Sequence, residues 1–304
     1  MWPHCQDDAD RPPDMFHWEC VRGVVLGLAS ALLLAVCLFA TVRMLVVFVR
    51  TRWYASNLLM LALGTMQSFF LTLKYLIDKN QKLSFAAAYA RGVQSLITCA
   101  NYAKAAAETG MDPVMFSKYY FPLLGVLTLY LTLIFLVAMG RRKDLCFHPR
   151  WLVMSVSQLL IVGLFSIPGL KVMRKLAGAM HWSHVYTDPS IGNVEEVAKQ
   201  QRALFVLLVC NAIGASAQVT LDLWLKSVYK YVDVKWKNPE DCVHFDTAIE
   251  EQIRIVLKLL SYHLPITATL YVYFWLPRQG EETRQEAATS LGMEDAFSAE
   301  LLET

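Results

Sequence analysis

Seven stretches of this chain are long enough to cross a lipid bilayer as helices, and six of them are almost free of charge. A segment of roughly 20 apolar residues can span the hydrocarbon only as a helix, because no water is present there to pair with free backbone amides. Val24–Val49, Tyr54–Ile77, Phe121–Met139, Trp151–Leu170, Ala203–Leu225 and Ile255–Leu276 meet that requirement. Arg50 and Arg52 close the first run, and Arg43 lies near enough to its end to snorkel. Arg141, Arg142 and Lys143 stop the third of these runs sharply. A hydrophobic fraction of 56% and a mean hydropathy of +0.37 are too high for an ordinary soluble domain.

The seventh stretch, Phe85–Ala107, is rich in alanine but carries Arg91, Gln94, Asn101 and Lys104. On a lipid-facing helix each cation would cost about 2.5–3.5 kcal/mol at the bilayer centre. Other helices must therefore surround it, with its polar groups turned to a wet interior. The alternative is a surface-lying amphipathic helix and six spans. The expected fold is an all-α membrane protein, a seven-transmembrane helix bundle over residues 21–278. An N-terminal tail (1–20) precedes it, and an acidic tail (279–304) follows.

Two signals bear on topology, and they oppose one another. Seven spans with the N-terminus outside put Cys5, Cys20, Cys146 and Cys242 on one face, where an oxidising compartment lets them pair. Cys37, Cys99 and Cys210 then lie in the membrane. The same topology leaves Arg141, Arg142, Lys143, Lys226, Lys230, Lys235 and Lys237 outside, against the positive-inside tendency. Six spans reverse both outcomes. The cysteines are weighted more here, which favours seven.

Composition excludes other classes. A net charge of +2 implies no nucleic-acid partner. The aspartates and prolines of the first twenty residues do not form a signal peptide. His181 and His184, three apart with no further ligand cluster, do not make a metal site. The remaining histidines are scattered, so no catalytic constellation and no cofactor are expected; His263 reads as a polar core residue.

Arg50–Gln67 (RTRWYASNLLMLALGTMQ) resembles the first cytoplasmic turn and second helix of rhodopsin-like G-protein-coupled receptors. Asn57 stands at that family's helix-two asparagine, and Gln67 at its sodium-binding aspartate. Glu108-Thr109-Gly110 stands where Asp-Arg-Tyr should end the third helix. Leu264-Pro265 stands where the last helix has Asn-Pro. The Cys-Trp-x-Pro of the sixth helix and the outer cysteine of the third are absent. The eroded pattern in a short chain is similar to the seven-span receptors captured by herpesviruses, particularly the orphan receptors of gammaherpesviruses.

The resemblance implies a signalling receptor at the plasma membrane that couples to a heterotrimeric G protein. It implies switch positions at Gln67, Glu108 and Pro265, and an extracellular disulfide drawn from Cys5, Cys20, Cys146 and Cys242. Lys258, Gln94 and Asn101 are the polar residues expected to line an interior pocket, whose ligand the sequence does not identify. Lys258 precedes Pro265 by the interval at which opsins carry their retinal lysine, but the outer half of the third span offers no carboxylate counter-ion. Lys258 is expected instead to line a wet pocket or to pair with Asp222. The alternative to a receptor is a non-receptor polytopic protein, a small transporter or an organellar membrane scaffold.

Overall fold

The structure is a computed structural model, which describes residues 13–51, 55–77, 81–108, 116–140, 152–164, 166, 169–170, 174, 194–231 and 248–275. Seven helices run through the described residues, and no strand occurs among them. They are α1 (Pro13–Thr51), α2 (Ala55–Thr72, continued by a π-helical turn Leu73–Ile77), α3 (Gln81–Glu108) and α4 (Phe121–Gly140, entered through a π-helical turn Phe116–Tyr120). There follow α5 (Leu152–Leu164), α6 (Val194–Tyr231) and α7, which starts at Ala248 and ends at Trp275.

Among the described residues, five helices are long and apolar enough to cross a membrane: Cys20–Val49, Ala55–Ile77, Lys118–Gly140, Phe205–Ser227 and Ile249–Trp275. The chain is therefore a polytopic, all-helical membrane-type bundle. Two expected spans differ from these. The fifth helix is described without a break over Leu152–Leu164, and the described residues Ser166, Gly169 and Leu170 beyond it are helical too, within the expected span. Helix α3 is too polar to count by apolarity alone, and it is the helix the others enclose.

That enclosure is visible residue by residue. Ser84–Ala88, Ala90–Gly92, Gln94–Leu96 and Thr98–Cys99 are all buried. The small side chains Ala86, Ala87, Ala88 and Ala90 let neighbouring backbones approach closely, as at other membrane helix interfaces. Helix α2 packs on one side of α3 and α4 on another. The α4 contact is aromatic: Tyr89 stacks on Phe135 at 4.3 Å, and its hydroxyl meets Thr132 Oγ1 at 3.0 Å. From α5, Gln158 Nε2 donates to the Ala88 carbonyl at 2.6 Å. Helix α1 packs on α2 and α7, and α7 also meets α2 and α6.

Apolarity is turned outward on the flanks. Only 11% of the most apolar window of Cys20–Val49 is buried, and 17% of that in Lys118–Gly140. Leu32 (71% exposed) and Val126 (63%) face away from the bundle, whereas Gln67, Ser68, Arg91 and Gln158 are closed off inside it. In water that arrangement would leave apolar surface wet and bury polar groups. In lipid both choices are favourable, because hydrocarbon solvates leucine and the bundle interior supplies hydrogen-bond partners.

Helix α7 is not a regular α-helix. It alternates Ala248–Lys258 (α), Leu259–His263 (π), Leu264–Leu270 (α) and Tyr271–Trp275 (π). Pro265 has no N–H to give the preceding turn, and the helix widens there, with the Leu264 N–H bonding back to the Leu259 carbonyl. Thr267 and Thr269 bond to the carbonyls of His263 and Pro265 and so occupy acceptors around the irregular turn.

Candidate functional site

The polar residues of α2, α3 and α7 meet in a chain of side-chain hydrogen bonds. Gln67 Nε2 donates to Gln94 Oε1 at 2.5 Å, and Gln94 Nε2 donates to Thr269 Oγ1 at 2.9 Å. Thr269 in turn donates to the carbonyl of Pro265 at 2.9 Å. All four residues are buried. Each glutamine has its amide turned inward because the opposite faces of α2 and α3 are apolar. The relay is incomplete at one end, since Gln67 Oε1 has no hydrogen-bond partner. On the α1 side, the Cys37 thiol lies 3.9 Å from the Ser68 hydroxyl, which bonds to the Gly64 carbonyl.

Each interhelical hydrogen bond of this kind is worth about 0.6 kcal/mol on average in a membrane protein. The relay therefore specifies how α2, α3 and α7 meet rather than holding them together. Removing both amides together, Gln67→Leu with Gln94→Leu, is expected to cost less thermal stability than Gln94→Leu alone, because the single change leaves the Gln67 amide buried and unpaired. A double-mutant cycle on the detergent-solubilised protein measures the difference.

A second polar region lies at the end of the bundle where α1, α3, α5 and α7 begin and α2 and α6 end. Arg22 Nη1 sits 2.6 and 2.7 Å from the two carboxylate oxygens of Glu251, both side chains being buried. Arg254 approaches the same carboxylate at 3.4 Å. Lys74 bonds to the hydroxyl of Ser84, joining α2 to α3. Asp222 accepts hydrogen bonds from Ser155 and from Gln218 Nε2, the latter at 2.9 Å, joining α5 and α6. Arg91 of α3 and Lys258 of α7 lie over the ring of Tyr262, at 5.8 and 5.2 Å from its centroid.

The expected pocket residues do not form one site. Gln94 belongs to the relay. Lys258 belongs to the charged region and forms no ion pair with Asp222, whose carboxylate is taken up by Ser155 and Gln218. Asn101 lies towards the other end of α3, exchanging hydrogen bonds with Ser56 at 3.0 and 3.3 Å. Gln94 and Asn101 are about 10 Å apart along the axis by helical rise, and each is taken up by a different set of partners. Gln67 and Pro265, the expected switch positions, are brought together through Gln94 and Thr269. Glu108 closes α3, but its side chain lies outside the described residues, as do Cys5, Cys146, Cys242, His181, His184 and the acidic tail.

The free thiols among the described residues are those of Cys37, Cys99 and Cys210, and Cys20 is not one of them. No group of three His, Cys, Asp or Glu side chains stands together among the described residues. His263 faces α1, its Nε2 lying 3.0 Å from the Ser30 hydroxyl. The residues that sequence reasoning passed over are Arg22 and Tyr262. A lone arginine at the head of an apolar run was the available signal for the first, but nothing local named its partner.

No protein-family model matches the chain, and neither a curated protein nor a solved structure matches it.

Proposed function

We propose that this chain is a non-enzymatic, seven-span signalling protein of the rhodopsin-like receptor type, which couples to a heterotrimeric G protein at the plasma membrane. The observation that carries the reading is the Gln67–Gln94–Thr269 relay beside Pro265. It stands at the positions that the resemblance assigns to switching. A receptor needs a buried element that joins several helices weakly enough to have two arrangements. An amide relay against an irregular, proline-containing turn has that character. The enclosure of α3 supports its crossing the membrane as a seventh span, since Arg91 and Gln94 are shielded from lipid.

Epitope tags at both ends, probed before and after permeabilisation, are expected to show the N-terminus outside and the C-terminus inside. Both tags on one side would remove α3 as a span, and the receptor reading with it. In transfected cells, activation of at least one G-protein family above background is expected, and Gln94→Leu should change it severalfold at equal surface expression. Silence across every family, from protein shown to reach the surface, would overturn the coupling. The cationic residues on the proposed outer side favour the alternative, a non-receptor polytopic protein such as a small transporter. Flux into proteoliposomes made with the purified chain is the result that would establish it.

A further inference from the structure

The charged region holds more positive than negative charge, and its innermost part is closed to solvent. Arg91 is 2% exposed and Tyr262 1%. Arg91 of α3 and Lys258 of α7 stand at one depth, within 6 Å of the same ring centroid. They share the Tyr262 ring. The carboxylate of Asp222 acts electrostatically on both, giving one negative charge against two positive ones. Glu251 is engaged by Arg22 and Arg254 and does not make up the difference. A buried charge without a counter-charge is costly, and proteins pair it, hydrogen-bond it or admit an ion.

Two donors at this place are unused. Arg91 Nη1 and the Tyr262 hydroxyl are buried and have no hydrogen-bond partner. Gly214 of α6 lets the Arg91 guanidinium approach that helix closely, since a Cβ there would stand 3.2 Å from Arg91 Nη2. We propose that a small inorganic anion of chloride size binds between Arg91, Tyr262 and Lys258, accepting hydrogen bonds from the Arg91 guanidinium and the Tyr262 hydroxyl. The near-complete closure of the two side chains excludes an organic anion. One such ion balances Arg91 and Lys258 against Asp222 and ties α3 to α7 at the level where α6 crosses them. The site does not depend on signalling.

The test uses the full chain, purified in detergent, with chloride exchanged for gluconate at equal ionic strength so that screening is constant. Chloride and bromide are expected to raise Tm saturably, by about 2–4 °C at a tenfold excess over Kd, and gluconate not at all. The same samples should broaden the chlorine-35 magnetic resonance line of free chloride. Arg91→Gln and Lys258→Gln should each abolish the Tm response. Tyr262→Phe, which keeps the ring beneath both cations, should weaken chloride binding about tenfold, and it serves if the other two variants do not fold. Equal Tm in chloride and gluconate with no line broadening overturns the proposal. So does a response that persists undiminished in Arg91→Gln and Lys258→Gln, or an unchanged Kd in Tyr262→Phe.

Discussion

Replacing Glu251 with leucine is expected to cost about 3–5 kcal/mol of stability, the usual penalty for removing one member of a buried ion pair. The loss is large because it strands Arg22, 9% exposed and bonded to both carboxylate oxygens. Most of that cost comes from the arginine left without a counter-charge, not from the pair's net attraction. The double replacement Arg22→Met with Glu251→Leu should therefore recover most of the loss. Arg254 does not repeat the problem, since its side chain is 18% exposed and long enough to reach headgroups or water. Thermal unfolding in detergent, followed by tryptophan fluorescence or retention on size exclusion, gives the comparison. A Glu251→Leu protein as stable as the wild type would mean that α1 and α7 are not joined as described.

Gly214→Ala is expected to destabilise by about 1–3 kcal/mol, although alanine is the better helix former. A Cβ at this position would stand 2.6 Å from Pro265 Cγ and 3.2 Å from the carbonyl of Leu260. The proline ring cannot swing aside as a flexible side chain would, so α6 must move away from α7. Gly125 and Gly163 are the controls, because a Cβ at either meets nothing within 4 Å. Alanine there should be neutral, or stabilising by about 0.5–1 kcal/mol through lower chain entropy. Opposite signs at the same substitution would place the effect in packing rather than propensity. A neutral Gly214→Ala would show that the helices do not approach this closely.

Of the two effects, rupture of the Arg22–Glu251 pair exceeds the overpacking, and both exceed any single bond of the amide relay. This ordering separates what holds the bundle from what could switch within it. The ion pair and the glycine contact fix α1, α6 and α7 against one another. The relay between Gln67, Gln94 and Thr269 is weak enough to exchange partners without unfolding anything.

The helices of this protein were readable from its residues, because the rule behind them is local. An apolar run in hydrocarbon must satisfy its own backbone, and each run from Val24 to Leu276 carries that instruction within itself. The enclosure of α3 was also readable, since Arg91 and Gln94 are too polar to face lipid and too numerous to ignore.

What faces Arg91 or Arg22 inside the bundle was settled only by the tertiary structure. Arg22 and Glu251 are 229 residues apart, and Gln94 and Thr269 are 175 apart. Such pairs depend on the rotation and depth of each helix, which many side chains set together and no short stretch of sequence encodes. Lys258 shows the consequence: its charge and its place before Pro265 were plain in the sequence, which left it either lining a wet pocket or pairing with Asp222. The packing gave Asp222 to Ser155 and Gln218 and placed Lys258 over Tyr262, one turn along its own helix, with Arg91 from α3 sharing the ring.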